Sequence, residues 1–157
     1  MIMAHIKQRI QFLVVGGPSY GEEEYYRQIV NLAKKIINNQ SIVLTGFRSD
    51  MAKMVKAMDV LAFPSREESL GNIVLESMAM GVPVVACRSG GVPDIVLDGE
   101  TGFLVPPRDV ESLAEKLMQY IQNAELRERH GIASRKRIQT EFNFKTYLDI
   151  LIRTYSS

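Results

Sequence analysis

Val60-Leu61-Ala62-Phe63-Pro64-Ser65-Arg66-Glu67-Glu68-Ser69-Leu70-Gly71-Asn72-Ile73-Val74-Leu75-Glu76-Ser77-Met78-Ala79-Met80-Gly81-Val82-Pro83-Val84-Val85-Ala86 reads as strand, loop, helix and strand in that order. Val60–Phe63 and Val82–Ala86 are short and almost continuously apolar, the pattern of strands buried on both faces of a parallel sheet. Residues 64–71 are mostly polar and rich in turn formers, and Asn72–Met80 is an apolar run of helical length. Parallel strands cannot be joined by a tight turn, so the helix supplies the crossover of a βαβ unit.

The same unit repeats outward. Strands are expected at Ile10–Val15, Ile42–Leu44 and Gly102–Val105, with helices at Glu22–Ile37, Asp50–Ala57, Val92–Val96, Val110–Gln122, Ala124–Glu141 and Lys145–Thr154. The fold class is therefore α/β. A chain of 157 residues, 46% hydrophobic and 24% charged, with 11 Gly and 6 Pro, fits one domain and excludes disordered or collagen-like sequence. The net charge of +1 gives no global field for nucleic acid or an anionic membrane, so any phosphate recognition must be local. Cys87 has no second cysteine to pair with, and His5 and Lys7 interrupt the only leader-like run, which points to a cytoplasmic setting. No apolar run approaches the roughly 18 residues of a membrane span. Residues before Ile10 are too few for a full βα unit, so one such unit is expected to be missing and residues 1–157 to be a fragment of a longer polypeptide.

In an open α/β sheet, ligands sit at the carboxyl ends of the strands. Here those ends carry Gly16-Gly17-Pro18, Thr45-Gly46, Pro64-Ser65 and Ser89-Gly90-Gly91. Ser69-Leu70-Gly71 opens the central helix. The free N–H groups and partial positive charge of such a start make an anion site, and Gly71 admits a phosphate close to the main chain. The plainer alternative is that Ser69 caps the helix and Gly71 shapes a turn. Glu76 interrupts an otherwise apolar helix and must find partners unless it and Ser77 form an exposed stripe. Glu68 lies eight positions before Glu76, so the two carboxylates bracket the helix start. Both are suited to accept hydrogen bonds from sugar hydroxyls. A glycosidase would also use two carboxylates, but it has no need of an anion-binding helix beside them.

Residues 64–86 closely resemble the Glu-x7-Glu signature of the retaining, nucleotide-sugar-dependent glycosyltransferases of group 1 (family 4). The resemblance continues through Gly90-Gly91-Val92-Pro93-Asp94, Asp98-Gly99 and Thr101-Gly102-Phe103-Leu104-Val105-Pro106, and includes Val14-Val15-Gly16-Gly17-Pro18 and Val43-Leu44-Thr45-Gly46-Phe47-Arg48-Ser49-Asp50. It implies a Rossmann-like parallel sheet with helices on both faces, the carboxyl-terminal, donor-binding half of a GT-B fold. The amides of Leu70, Gly71 and Asn72 would then hold the donor diphosphate, Glu76 the ribose, and Glu68 the donor sugar as the residue placed at the reaction centre. Phe47, Arg48 and Asp50 would lie next to the nucleobase, and Gly16, Gly17 and Ser69 would border the pocket. The implied partners are a UDP- or GDP-sugar and a missing amino-terminal acceptor domain, with no metal and no cofactor. Leu70 stands where an aromatic residue is common and Asn72 where an aliphatic one is frequent. Neither change removes a backbone donor.

Other readings account for less. Gly16-Gly17-Pro18-Ser19-Tyr20-Gly21 is no nicotinamide fingerprint, because Pro18 lacks an N–H and Glu22-Glu23-Glu24 would compete with a phosphate. His5, His130 and Cys87 are too scattered for a zinc site. His130, between Arg129 and Gly131, is expected at the surface, and Cys87 is expected to pack as a small apolar residue. Arg135-Lys136-Arg137 reads as a solvated helix face, with anionic lipid contact in a peripheral full-length enzyme as the alternative. A nucleotide-sugar 2-epimerase-like enzyme and a non-catalytic nucleotide-sugar-binding module remain the alternative functions.

Overall fold

The computed structural model describes residues 10–18, 20–36, 42–143, 145–146, 148–149 and 152. The chain divides into two compact units, Met1–Met54 and Val55–Ser157. In the first, β1 (Phe12–Val14) pairs in parallel with β2 (Ile42–Leu44), Leu13 opposite Val43, and α1 (Glu23–Ile36) is the crossover. Glu23 and Glu24 in its first turn and Lys34 and Lys35 in its last complement the helix dipole. Tyr26, Val30 and Ala33, at helical spacing, are its half-buried stripe. The division falls inside α2 (Met51–Lys56).

The second unit holds a three-stranded parallel sheet in the order β3 (Leu61–Phe63), β4 (Val84–Cys87), β5 (Phe103–Val105). Leu61 lies opposite Val84, and Val85 opposite Phe103. Alternation along the strands sends side chains to two separate cores. Leu61, Val84, Ala86 and Leu104 pack with Val74 and Met78 of α3 (Asn72–Ala79) and with Val92 and Ile95 of α4 (Val92–Ile95). On the other face Val85, Cys87, Phe103 and Val105 pack with Tyr120 of α5 (Val110–Gln122), and Leu126 of α6 (Ala124–Glu141) joins them. Helices thus flank this sheet on both faces, as expected. Each fully buried side chain such as Val74 or Met78 contributes about 1.5–3 kcal/mol of transfer free energy.

The expected elements are present with small shifts. β4 begins at Val84, after Pro83, and runs on to Cys87, which pairs with Val105. β1 is shorter than Ile10–Val15: its parallel ladder closes with the bond from Thr45 N–H to the Val14 carbonyl, and beyond it Gly16 bridges Gly46 in antiparallel sense. Asp109 and Asn123 cap α5 and α6 by accepting from Ser112 N–H at 2.9 Å and Leu126 N–H at 2.9 Å. Half of the expected helix Lys145–Thr154 lies outside the described residues, and those described within it are helical. Among the described residues no helix is long and apolar enough to cross a membrane.

α3 and α6 approach closely enough to exclude side chains. A Cβ on Gly131 would stand 2.2 Å from the Gly81 carbonyl oxygen, which is main chain and cannot yield as a side chain would. Ser77 and Ser134, both fully buried, flank this contact on the two helices. Arg137 joins α6 to α4 by donating from Nε to the Ile95 carbonyl at 2.9 Å and from Nη2 to the Asp94 carbonyl at 2.8 Å.

Candidate functional site

β3 delivers the chain into the polar loop at its carboxyl end, and Gly71, with φ of 81°, turns that loop into α3. Gly71 is the N-cap residue and no side-chain oxygen caps the helix from that position. Ser69 therefore does not cap the helix, contrary to the plainer reading. Its side chain is exposed and its carbonyl accepts from Gly91 N–H at 3.0 Å. Glu68 instead organises the turn just before the helix: its Oε1 accepts from Ser69 N–H at 3.0 Å and from Gly71 N–H at 3.2 Å. The N–H groups of Leu70, Asn72 and Ile73 have no acceptor among the described residues.

Glu76 lies on the outer face of α3 and is exposed, because Val74, Ser77 and Met78 form the inner face. The exposed stripe suggested by the sequence thus contains Glu76 without Ser77. Ser77 is fully buried, with an Oγ that has no partner among the described residues. Glu68, Leu70, Gly71, Asn72 and Glu76 are thus gathered at one loop and the first turns of one helix.

The loop after β4 fixes this arrangement from the side. Glu68 N–H donates to Ser89 Oγ at 3.0 Å, and Ser89 is buried. A Cβ on Gly90 would fall 1.5 Å from the Glu68 carbonyl oxygen. The sequence places Ser89-Gly90-Gly91 at a ligand-facing strand end, but the bond from Glu68 N–H to Ser89 Oγ is not foreseen there. Its signal is a small hydroxyl directly before a Gly-Gly pair at a strand's carboxyl end.

Within the first unit, Gly16 N–H donates to the Gly46 carbonyl at 3.0 Å, and Gly17 faces the Phe47 ring so closely that a Cβ there would lie 2.8 Å from Cε2. Phe47 itself is exposed. Arg48 and Asp50 form a two-pronged ion pair, with Nε to Oδ1 and Nη2 to Oδ2 both at 2.8 Å. The hydrogen bonds from Arg48 hold the Asp50 carboxyl below its ordinary range. Gly16, Gly17 and Phe47 are thus brought together, while the Arg48 and Asp50 side chains are occupied with each other.

His130 is not at the surface. It is buried, its Nδ1 2.7 Å from the Tyr120 hydroxyl and its ring 5.2 Å from that of Phe103, while its Nε2 has no partner among the described residues. Burial, aided by Arg129, pushes the His130 pKa down, and burial pushes the Tyr120 phenol up. Leu126, His130 and Ser134 recur at helical spacing on the inner face of α6, a stripe hidden in the sequence by the charged residues between them. Arg137 is likewise withdrawn from the basic cluster by its bonds to α4, leaving Arg135 and Lys136 exposed. Cys87 is buried as expected, and burial raises its thiol pKa. Among the described residues no three His, Cys, Asp or Glu side chains converge on a point that could hold a metal.

A family model described as Glycosyl transferases group 1 matches residues 1–123. The chain belongs to this family. It is 35% identical over 152 residues to a D-inositol 3-phosphate glycosyltransferase of Saccharomonospora viridis, a match covering 96% of this chain and 35% of that one. It is 34% identical over 122 residues to the capsular polysaccharide biosynthesis glycosyltransferase CapM of Staphylococcus aureus, covering 78% of this chain and 32% of that one. It spans about a third of the length of these curated relatives. Among solved structures, HepE of Anabaena in complex with UDP superposes with a TM-score of 0.87 at 25% identity, covering 94% of this chain and 41% of that one. The carboxyl-terminal domain of the group 1 glycosyl transferase LpcC of Francisella tularensis matches with a TM-score of 0.80 at 24% identity, covering 85% of this chain and 70% of that one. The fold is thus that of the carboxyl-terminal half of a GT-B glycosyltransferase.

Proposed function

We propose that this chain is the donor-binding part of a retaining, metal-independent hexosyltransferase that takes a UDP- or GDP-sugar and transfers its sugar to a hydroxyl acceptor. The observation that carries the reading is the start of α3, where the N–H groups of Leu70, Asn72 and Ile73 have no acceptor among the described residues and which Glu68 precedes and the exposed Glu76 follows in the chain. The UDP bound in the HepE neighbour favours a uridine nucleotide. In this reading the amides of Leu70, Gly71 and Asn72 and the dipole of α3 stabilise the departing diphosphate. The exposed carboxylate of Glu76 accepts from the ribose hydroxyls. Glu68 accepts from donor sugar hydroxyls and supports the charge that develops at the sugar, with no covalent intermediate. The acceptor hydroxyl approaches on the face the diphosphate leaves, so no protein nucleophile is required.

Within the first unit the same reading leaves Phe47 and the backbone beside it and beside Gly16 and Gly17 for a base, since the Arg48 and Asp50 side chains are paired with each other. It also calls for an acceptor domain outside residues 1–157, in line with the share of its relatives that the chain covers. The matching family model and the relatives named above are transferases, which favours transfer over the epimerase-like alternative. A cytoplasmic setting fits the single buried thiol.

One exposed helix start supplies about 0.3–1 kcal/mol toward an anion, up to ~2 when partly buried. Binding of UDP by this chain alone should then be in the millimolar range, about −4 kcal/mol. The test is a titration of isotopically labelled protein with UDP, read at every backbone amide. Shifts concentrated at Leu70–Asn72 and around Glu76 are expected, and shifts confined to other segments would refute the assignment.

A further inference from the structure

One anion, the Glu68 carboxylate, already sits at the start of α3. Glu68 Oε1 accepts from both Ser69 N–H and Gly71 N–H, and Gly71 is one of the three residues whose amides the donor diphosphate would use. A single N–H cannot serve a carboxylate and a phosphate oxygen at full strength, and two anions at one helix start repel each other. The backbone of Glu68 is not free to withdraw. Its N–H is held by Ser89, its carbonyl is confined by Gly90, and Gly91 N–H holds the next carbonyl along. The side chain beyond Cα is the part that can move. Glu68 is only half-buried, so part of its side chain is already in contact with solvent.

We propose that the Glu68 carboxylate is an internal stand-in for the donor phosphate, so that diphosphate binding displaces it from the Gly71 and Ser69 amides and frees it to accept from the donor sugar. The inference rests on the donor reading and adds a sequence of events to it: the sugar-facing carboxylate becomes available only when phosphate has taken its place. Its consequence runs against the usual effect of deleting a binding residue. Removing the carboxylate strengthens the binding of a nucleotide that has phosphates and no sugar.

The experiment has two arms on the 157-residue chain. Without nucleotide, Glu68→Ala should move the Ser69 and Gly71 amide resonances, which lose a charged acceptor, more than any others, and Glu68→Gln should move the same two by less. In the second arm UDP and UDP-glucose are titrated into the wild type, Glu68→Gln and Glu68→Ala. UDP should bind Glu68→Ala about three- to tenfold tighter than wild type, the scale of one competing charged hydrogen bond partly offset by water. UDP-glucose should gain less, because its sugar loses the carboxylate. Glu68→Gln, which keeps the volume of the side chain, should show the same direction even if the alanine variant misfolds. Ser69 and Gly71 amides that the substitutions leave unmoved overturn the inference whether or not UDP binds. UDP that shifts Gly71 in the wild type but binds the variants equally or more weakly overturns it as well. Amides that the substitutions move, with Gly71 indifferent to UDP in every variant, overturn the donor reading and the displacement with it.

Discussion

Replacing Gly90 by Ala should be among the most damaging single-methyl changes in the chain, and Gly99→Ala supplies its control. Both glycines have positive φ, 52° and 78°, so alanine at either position bears the left-handed cost of about 1–2 kcal/mol. They differ in surroundings. A Cβ at Gly99 meets nothing within 4 Å, whereas at Gly90 it would lie 1.5 Å from the Glu68 carbonyl oxygen and 3.0 Å from that of Ser69. To admit it, the loop after β4 must part from the loop before α3. That breaks the Glu68 N–H bond to Ser89 Oγ and the Gly91 N–H bond to the Ser69 carbonyl. At about 0.5–1.5 kcal/mol each, the extra loss is about 1–3 kcal/mol, which at this chain length lowers the melting temperature several degrees below that of the control. Urea unfolding of the two variants in parallel measures the difference. Equal destabilisation would show that the two loops are not locked together and would remove the basis for treating the Glu68 backbone as fixed.

Gly131→Ala should destabilise by about 1–3 kcal/mol through overpacking against the Gly81 carbonyl, partly offset by the roughly 1 kcal/mol that alanine gains in a helix interior; a net stabilisation in chemical denaturation would contradict the close approach of α3 and α6. His130, whose pKa is pushed down by burial, is neutral when folded, so stability should fall as pH drops below the unfolded value of about 6.5. The slope is at most ~1.4 kcal/mol per pH unit, it is absent above that pH, and His130→Gln should flatten it; an unchanged acid limb in that variant would exclude His130 as its source. Glu76→Gln should weaken UDP binding by about 1.5–3 kcal/mol without loss of stability, since Glu76 is exposed; unchanged saturation in an NMR titration would remove its ribose role.

The βα alternation is legible because buried parallel strands such as Val84–Cys87 are apolar at every position, and because each is followed by residues that can only turn. The site loop is legible for a related reason: a polar stretch between a buried strand and an apolar helix has few places to go except the carboxyl edge of the sheet. Illegible in the sequence are the contacts made by absence. Gly131 looks like an isolated helix weakener until Gly81 is found against it, and Gly90 looks like turn chemistry until the Glu68 carbonyl is found in the space its side chain would fill. His130 is hidden for a different reason. Its inner-face neighbours Gly131 and Ser134 are small rather than apolar, so α6 shows little hydrophobic stripe and the charged residues dominate the pattern.

These glycine contacts bear on how the site would work. α3 is held at both ends by main-chain contacts, at its entry through Gly90 and Gly91 against residues 68–70 and at its exit through Gly81 against Gly131. Neither contact can relax by rotating a side chain, so the direction of the free N–H groups is set by the scaffold before any ligand arrives. Donors fixed in advance need no reorganisation when negative charge appears before them, which is the condition under which backbone amides stabilise a leaving group best. In such a site the adjustable element has to be a side chain, and Glu68 is the one that presently holds the amides. On the proposed donor reading, a rigid helix start with a displaceable carboxylate would confine the cost of binding to one side chain's rearrangement and leave the backbone where a diphosphate would need it.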